Sequence, residues 1–201
     1  MIVNVYLKNI NDINLNKLDY ENISDYLKNK SNISNKDHYI ISLKEEKFLK
    51  EILNIKDKLN IKTNEYNKPY LVNSDIKYNF SNKKDYIALA ISKDEVGIDI
   101  EEIKENNDSK LYNFINNYHS EFKNYNPKLI WTIIESSIKL IGILSLIFKE
   151  IEILKIEKED DINYLFITKY KDILMYGKTK IINNLSISVC AYNENFETNY
   201  Y

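Results

Sequence analysis

The stretch WTIIESSIKLIG, residues 131–142, has the spacing of an apolar helix that carries two charges. At 3.6 residues per turn, Trp131, Glu135 and Lys139 recur at every fourth position and share one face, which Gly142 roughly extends. The remaining positions are apolar or small. Two such charges either form an i,i+4 surface pair, worth about 0.3 kcal/mol, or belong to a functional site. The pattern predicts the helix and leaves both interpretations of the charges open.

A second stretch, VGIDIEE at residues 96–102, has the pattern of a strand, in which successive side chains point to opposite faces. Asp99 and Glu101 then share one face, and Ile98 and Ile100 share the other. Neighbouring carboxylates repel each other unless a cation lies between them, and Mg²⁺ favours oxygen ligands of this kind. A half-buried strand with one wet face gives the same alternation. The pair alone therefore leaves the choice open.

The two stretches together predict more than either one. If the helix lies beside the strand, Glu135 can bring a third oxygen to the same magnesium ion. Lys139, one turn further, can then reach a phosphate bound to that ion. Gly142 would let a ligand or a backbone segment come close to this face.

Composition narrows the class of protein. The chain has 201 residues, of which 44% are hydrophobic, so it can bury a substantial core. Its 28 basic residues are all lysine and are balanced by 30 acids, and a net charge of -2 argues against a general nucleic-acid binder. A single cysteine, Cys190, excludes an internal disulfide, and two histidines argue against a structural zinc site. The sequence contains neither a cleavable signal nor an apolar run of about 18 residues, so we expect a cytoplasmic protein without a membrane segment.

The order of patterns along the chain predicts an α+β fold. A strand at the N-terminus precedes an amphipathic helix at residues 38–59 with a break near Ile55, and short strands follow at YNFS, DYIALAIS and EVGIDIEEI. The second half has two helices and then a strand-rich tail, in which YGK at residues 176–178 predicts a hairpin turn. Residues 193–201 have the composition of a frayed end. We therefore expect two similar subdomains, residues 1–103 and 104–201.

Two further segments complete a resemblance to a known family. EYNKPY at residues 65–70 resembles the E-Y-G-K-P loop of the 4′-phosphopantetheinyl transferases, and YNFSN at residues 78–82 is similar to their F-N-x-S-H segment. VGIDIE matches their G-I-D-I-E signature, and WTIIESSIKLIG keeps the Trp, Glu, Lys and Gly spacing of their W-x-x-K-E-x-x-x-K-x-x-G helix. ISVCAY resembles the last core strand. The four motifs occur in the family's order and resemble its larger type, which activates surfactin-like synthetases.

The resemblance implies an α+β fold with two halves related by a pseudo-twofold axis, and a cleft between them that binds coenzyme A and Mg²⁺. Proteins of this family move the 4′-phosphopantetheine arm of coenzyme A onto a serine of an acyl or peptidyl carrier protein and release 3′,5′-ADP. A cleft formed within one chain needs no partner copy, so we expect a monomer.

The resemblance also implies roles for individual residues. By analogy, Asp99, Glu101 and Glu135 hold Mg²⁺ on the pyrophosphate, and Glu135, or a water that it orients, is the candidate base. Lys139 would contact the pyrophosphate. Catalysis is therefore assigned to Glu135 and Lys139.

The coenzyme A contacts are assigned in the same way. Lys68 would bind the nucleotide end, while Ser81 and Asn82 would line the phosphate path together with Lys139. Lys68 precedes Pro69 and is equally explained as a plain turn lysine.

Three departures from the family pattern bear on activity. Asn82 replaces a histidine, Ile134 replaces a lysine, and Asn67 replaces a glycine, although asparagine also enters left-handed conformations. The basic residue for the 3′-phosphate has no secure counterpart; the possible stand-ins are Lys36, Lys44 and Lys47. Each charged phosphate contact is worth about 1.5–3 kcal/mol, so losing two predicts a rate or affinity lower by on the order of a hundredfold or more.

Two other interpretations stay open. A degenerate, non-catalytic relative would bind coenzyme A or a carrier protein without transfer, and Ile134 and Asn82 favour it. A structural α+β protein would carry the four motifs by coincidence. The aromatic segment 111–126 either contacts the carrier protein or packs into the core as an amphipathic helix.

Overall fold

The first half of the chain combines three helices with five strands. The computed structural model describes residues 1–30, 35–103, 109–143 and 148–201. The elements of this half are β1 (Ile2–Asn9), α1 (Lys17–Glu21), α2 (Asp25–Lys30), α3 (Lys36–Leu53), β2 (Ile61–Thr63), β3 (Pro69–Leu71), β4 (Lys77–Lys83) and β5 (Tyr86–Ser92). Helix α3 ends where Asn54 adopts a left-handed conformation, φ 53°, and its N–H bonds to carbonyls of the last turn. The helix stops near Ile55 as predicted, but no helix follows between residues 54 and 59, so the predicted extension to residue 59 is wrong.

The second half begins with β6 (Val96–Glu102) and continues through two helices to a strand-rich end. Its other elements are α4 (Ser109–Tyr118), α5 (Pro127–Ile141), β7 (Glu152–Lys158), β8 (Asn163–Tyr170), β9 (Ile173–Ile182), β10 (Leu185–Ala191) and β11 (Glu197–Tyr200). The mixed α+β class predicted from the sequence is confirmed. No helix in the described part of the chain has the length and apolar character that a membrane span requires.

Two main sheets share the same strand order in their central parts. The first has the order β11-β1-β5-β4 and the second β6-β10-β9-β8-β7. In the first sheet β1 pairs antiparallel with β5, which pairs antiparallel with β4. In the second sheet β6 pairs antiparallel with β10, which pairs antiparallel with β9. Strand β6 directly follows β5 in the chain but bonds to β10, and β11 returns to pair with β1.

The C-terminal segment is ordered, contrary to the expectation of a frayed end. Strand β11 pairs parallel with β1, and Phe196 just before it is buried between the sheets. Tyr201 stacks on Tyr6 with ring centroids 5.0 Å apart. A buried phenylalanine, strand pairing and a tyrosine stack thus hold a segment whose polar composition predicts no structure.

The predicted turn at residues 176–178 is also wrong. Gly177 lies in the middle of β9, opposite Phe166 of β8, and a Cβ at this position would lie 1.8 Å from the Phe166 ring. The glycine makes room for that ring. The chain reverses instead beside Lys171 and at Asn183 and Asn184, which all have positive φ.

Three of the apolar clusters formed by the described residues lie between these layers. The first lies between the two sheets and includes Val5, Ile98 and Val189. The second lies between the second sheet and α5, and the third between the first sheet and α3. Strand β6 is therefore covered on both faces, which places its charged residues inside the protein.

Candidate functional site

Helix α5 presents a single partly exposed stripe. It begins with Pro127 in its first turn, capped by the Asn126 side chain, and ends at Gly142 with φ 81°. Between residues 129 and 140 every side chain is buried except Trp131, Glu135 and Lys139. The shared face predicted from the spacing is confirmed.

Ile134 lies off this stripe. It is 0% exposed and belongs to the apolar cluster between α5 and the second sheet. The replacement of lysine by isoleucine at this position therefore matches a core environment and leaves the stripe itself unchanged.

Asp99 and Glu101 are buried on the face of β6 that α5 covers, with exposed fractions of 6% and 9%. The helix lies close here because Gly97 has no side chain; a Cβ would stand 2.0 Å from the Ser136 carbonyl oxygen. The alternative of a half-exposed strand with a wet polar face is wrong.

Lysines accompany both buried carboxylates. Lys139 Nζ donates to Asp99 Oδ1 at 2.7 Å. Lys83 Nζ donates to Glu101 Oε1 at 3.0 Å and lies 2.8 Å from Oε2, while Lys128 Nζ is 3.6 Å from Oε2. Glu101 Oε2 is buried, and in the described part of the chain no donor meets it with hydrogen-bond geometry.

Side chains of β4 close the free edge of β6. Asn79 Oδ1 accepts from the Ile98 N–H at 3.0 Å, and Ser81 Oγ accepts from the Ile100 N–H at 3.2 Å. Ser81 Oγ also donates to Asp99 Oδ1 at 2.8 Å. Ser81 therefore orients the Asp99 carboxylate and satisfies a backbone donor that has no strand neighbour.

Burial and neighbouring charges shift the pKa values of the acids in this site. Burial, followed by repulsion from Asp99, raises the pKa of Glu135 to about 7. Burial also raises the pKa of Asp99, although Lys139 and Ser81 favour its charged form. No residue in the described ranges donates a hydrogen bond to the Glu135 carboxylate or forms an ion pair with it. The predicted i,i+4 surface pair of Glu135 with Lys139 is therefore not formed.

The three predicted metal ligands are near enough to repel one another but do not form a ready metal centre. Both Asp99 and Glu101 contribute to the raised pKa of Glu135. Within the described residues, no three Asp, Glu, His or Cys side chains are arranged to hold an ion. The donor chemistry fits Mg²⁺, because all three are carboxylates and one Glu101 oxygen lacks a hydrogen bond. The Asp99 carboxylate is instead paired with the ammonium group of Lys139.

A cavity of about 340 Å³ opens beside this stripe. It lies among α2, α3, β4 and α5, and its lining combines apolar groups with charged ones. Glu135, Lys139 and Gly142 line it from α5, and Asn79 and Phe80 from β4. From α3 and the loop before β3 come Glu45, Glu46, Asn67 and Lys68. The cavity thus brings together three of the four sequence motifs.

Lys68 lies at the cavity wall but its ammonium group is engaged. It donates to the Leu140 carbonyl at 3.1 Å and pairs with Glu95 at 2.7 Å. Its aliphatic chain covers Gly142, where a Cβ would lie 2.9 Å from Cδ. Lys68 therefore caps the end of α5, and neither a free turn lysine nor a preformed phosphate contact describes it. Asn67 has φ 64°, the left-handed conformation expected for it.

Other residues predicted to contact phosphate face elsewhere. Asn82 is exposed and donates to Glu45 Oε1 at 3.0 Å. Lys44 donates to the Ile10 carbonyl, and Lys47 to the Asn14 carbonyl and to Asp19. Lys36 is exposed at the start of α3. Of the described residues that line the cavity, the cationic ones are Lys68 and Lys139.

The sequence interpretation missed Asn79, Lys83 and Lys128. The first two share a β4 face with Ser81, so the strand period alone indicates that they point the same way. Lys128 precedes Trp131 by three residues and lies near the stripe of α5. What the period does not indicate is that this β4 face meets β6.

Comparison with known proteins gives one informative similarity. No family model matches the chain. The chain is 36% identical over 107 residues to the 4′-phosphopantetheinyl transferase gsp of Aneurinibacillus migulanus, a match that covers 48% of this chain and 44% of that protein. The match thus spans less than half of either sequence. Over that part of its length the chain is similar to a 4′-phosphopantetheinyl transferase, in agreement with the resemblance of its four motifs to that family.

Proposed function

We propose that this protein binds coenzyme A in the cavity beside α5 and transfers its 4′-phosphopantetheine arm to a serine of an acyl or peptidyl carrier protein. The observation that carries the proposal is the meeting of two motifs at one wall. Glu135 and Lys139 face the cavity from α5, and Lys139 is bonded to Asp99 of the GIDIE strand. Transfer of this kind needs a base and a cation beside the same diphosphate.

In the proposed reaction the serine oxygen attacks the phosphorus that carries the pantetheine arm. A new P–O bond forms to serine, the pyrophosphate P–O bond breaks, and 3′,5′-ADP leaves with the bonding electrons. Glu135, or a water that it orients, takes the hydroxyl proton, because its carboxylate faces the cavity without a partner among the described residues. Lys139 exchanges Asp99 for a pyrophosphate oxygen.

The magnesium assignment is part of this proposal. Asp99, Glu101 and Glu135 would supply the oxygen ligands, and the ion would neutralise charge on the pyrophosphate. The departure of Lys139 from Asp99 toward the substrate would free a ligand oxygen for the ion. Ser81 would keep Asp99 in place during that exchange.

The subdomain organisation, the oligomeric state, the location and the role of Lys68 are also proposals. The common strand order of the two sheets supports a pseudo-twofold relation between two halves, which we propose as residues 1–103 and 104–201, with β6 crossing to the second sheet and β11 to the first. We also propose a monomer in the cytoplasm. Lys68, at the wall where the EYNKPY loop meets α5, would border the nucleotide end of coenzyme A.

The aromatic segment 111–126 divides between two roles. Leu111 and Ile115 are buried against α5, which supports core packing for one face of α4. Tyr112 and Tyr118 are exposed to 40% and 52% and are proposed to contact the carrier protein. Their replacement should weaken use of the carrier without changing coenzyme A affinity, whereas equal loss of both would indicate a packing role.

A second candidate is a non-catalytic protein that binds coenzyme A or a carrier protein. Two predicted phosphate contacts, Lys139 and Asn82, are already occupied, because Lys139 is bonded to Asp99 and Asn82 to Glu45. This favours the non-catalytic candidate. This candidate needs the same cavity but no proton transfer.

Incubation of the full chain with coenzyme A, Mg²⁺ and apo carrier proteins separates the candidates. Under the proposed function, mass spectrometry shows a carrier protein heavier by one phosphopantetheine arm. Binding of coenzyme A by calorimetry, without transfer to any of several carriers, would select the second candidate. Absence of binding with and without Mg²⁺ would contradict both and favour the structural protein.

A further inference from the structure

One face of β4 is directed at the edge of β6. Asn79 and Ser81 accept hydrogen bonds from the N–H groups of Ile98 and Ile100, and Lys83 pairs with the carboxylate of Glu101, the residue after Ile100. Three alternate residues of β4 therefore contact β6 laterally, two through its backbone and one through a side chain. Asn79 differs from the other two because it also lines the cavity beside α5.

The contact with β6 fixes the orientation of the Asn79 amide. A backbone N–H can only donate, so the atom that it meets at 3.0 Å must be the amide oxygen. The amide nitrogen then points away from Ile98. In the described part of the chain it donates to no acceptor, although it carries two hydrogens.

The charges of the cavity indicate where an anion can bind. Three glutamates, Glu45, Glu46 and Glu135, line it and disfavour an anion near their carboxylates. Lys139 and the Asn79 amide lie on the walls that supply donors. A neutral amide on the wall of the same cavity adds a directed hydrogen bond for an oxygen that the ammonium charge attracts.

We infer that the Asn79 side-chain amide donates a hydrogen bond to a phosphate oxygen of the diphosphate ligand in this cavity. Asn79 thus makes a contact of the kind that the sequence assigns to Asn82, which is exposed and held by Glu45. The identification of the ligand as coenzyme A rests on the proposed function, whereas the contact itself requires only a diphosphate.

Calorimetric titration of the full chain with coenzyme A, and separately with inorganic pyrophosphate, tests this inference. Asn79→Ser removes the amide but allows a hydroxyl to contact Ile98 as Ser81 contacts Ile100. Asn195→Ser, at an exposed position that does not line the cavity, is the matched control. A hydrogen bond to a charged group is worth enough to raise Kd by about 10- to 100-fold in Asn79→Ser. Asn195→Ser should stay within about twofold of the original chain, since it loses no ligand contact.

A second pair of variants covers the case in which Asn79→Ser does not fold. Asn79→Asp keeps the acceptor for Ile98 and the side-chain size, and Asn195→Asp adds the same charge at an exposed position away from the cavity lining. We expect the Kd of Asn79→Asp to exceed that of Asn195→Asp by tenfold or more.

The outcomes separate this inference from the proposed function. Unchanged Kd in Asn79→Ser, or equal losses in the two aspartate variants, would overturn the Asn79 contact while leaving coenzyme A binding intact. Binding of pyrophosphate but not coenzyme A, weakened by Asn79→Ser, would keep the contact and contradict the proposed function. If the original chain binds neither ligand, both fail.

Discussion

The two helices that flank the cavity pack against their sheets in different ways. Helix α5 lies directly on β6 and β10, with the Ser136 carbonyl against Gly97. Helix α3 makes fewer close backbone approaches to the first sheet and reaches it through long side chains such as Phe48, which belongs to the same apolar cluster as Tyr78. The cavity lies on the side of the more distant helix.

This difference in helix packing gives the two halves different roles at the cavity. Close packing in the second half leaves α5 one partly exposed stripe, so the positions of Glu135 and Lys139 are tightly determined. The wider spacing in the first half provides the walls of a cavity large enough for part of a ligand. The groups proposed to react therefore come from the tightly packed half, and most of the cavity lining comes from the other.

The largest expected effect concerns the stripe of α5. Glu135→Gln keeps the size of the side chain but cannot accept the serine proton, so transfer to a carrier protein should fall by about 10²- to 10⁴-fold. Mass spectrometry of the carrier measures this. Glu157→Gln, an exposed carboxylate on β7, is the matched control and should transfer at the original rate. Retained activity in Glu135→Gln would remove the assigned role.

The next effect tests the close packing of α5. A Cβ in Gly97→Ala would lie 2.0 Å from the Ser136 oxygen and 2.5 Å from the Leu140 nitrogen, and both are backbone atoms. The helix must shift, so we expect the free energy of unfolding to fall by about 3 kcal/mol. Urea denaturation measures the change. A loss of less than about 0.5 kcal/mol would show that the helix accommodates the methyl group.

A smaller effect is expected at the junction of β4 with β6. Ser81→Ala leaves the Ile100 N–H without its acceptor and removes a donor from Asp99. The loss should be about 1–3 kcal/mol in the free energy of unfolding. Ser74→Ala, in a surface turn, is the comparison and should cost less. Equal costs would mean that the junction contributes no more than a turn does.

The smallest effect concerns α3 and depends on pH. Burial raises the pKa of Glu46, although hydrogen bonds from Ser24 oppose the shift. The folded protein then holds a proton that the unfolded chain has released, so this stability is present at low pH and is lost as pH rises through the folded pKa. Glu46→Gln removes the titrating group. Between the pKa of Glu46 in the unfolded chain and its raised pKa in the folded protein, the variant's free energy of unfolding should therefore decline less than that of the original chain, with a difference of at most about 1.4 kcal/mol per pH unit. Parallel stability profiles in urea would contradict this.

The sequence predicts the faces of individual elements better than their neighbours. The spacing of residues 131–142 was sufficient to identify the stripe of α5, and alternation was sufficient to place Asp99 beside Glu101. Neither pattern contains the information that Lys139 bonds to Asp99, because that contact joins residues 40 apart. Strand β11 was missed for a similar reason, since its order depends on pairing with β1 at the other end of the chain.

The assignment of Asn82 shows the same limit inside one motif. Asn79 and Asn82 occur in the same five-residue segment, and the resemblance to the family selected Asn82. The strand period places them on opposite faces, so only one of them can share the face of Ser81. Residues on both faces line the cavity, Asn79 on one and Tyr78 and Phe80 on the other. Which asparagine reaches it depends on where α3 and α5 lie, and no local pattern specifies that.

A crystal structure of the full chain with coenzyme A and Mg²⁺ tests the central claim most directly. We predict the pyrophosphate in the cavity beside α5, with Lys139 Nζ moved from Asp99 to a phosphate oxygen. We also predict the ion bound by carboxylate oxygens of Asp99, Glu101 and Glu135. Coenzyme A bound elsewhere on the protein, or Lys139 still bonded to Asp99 beside a bound pyrophosphate, would contradict the account.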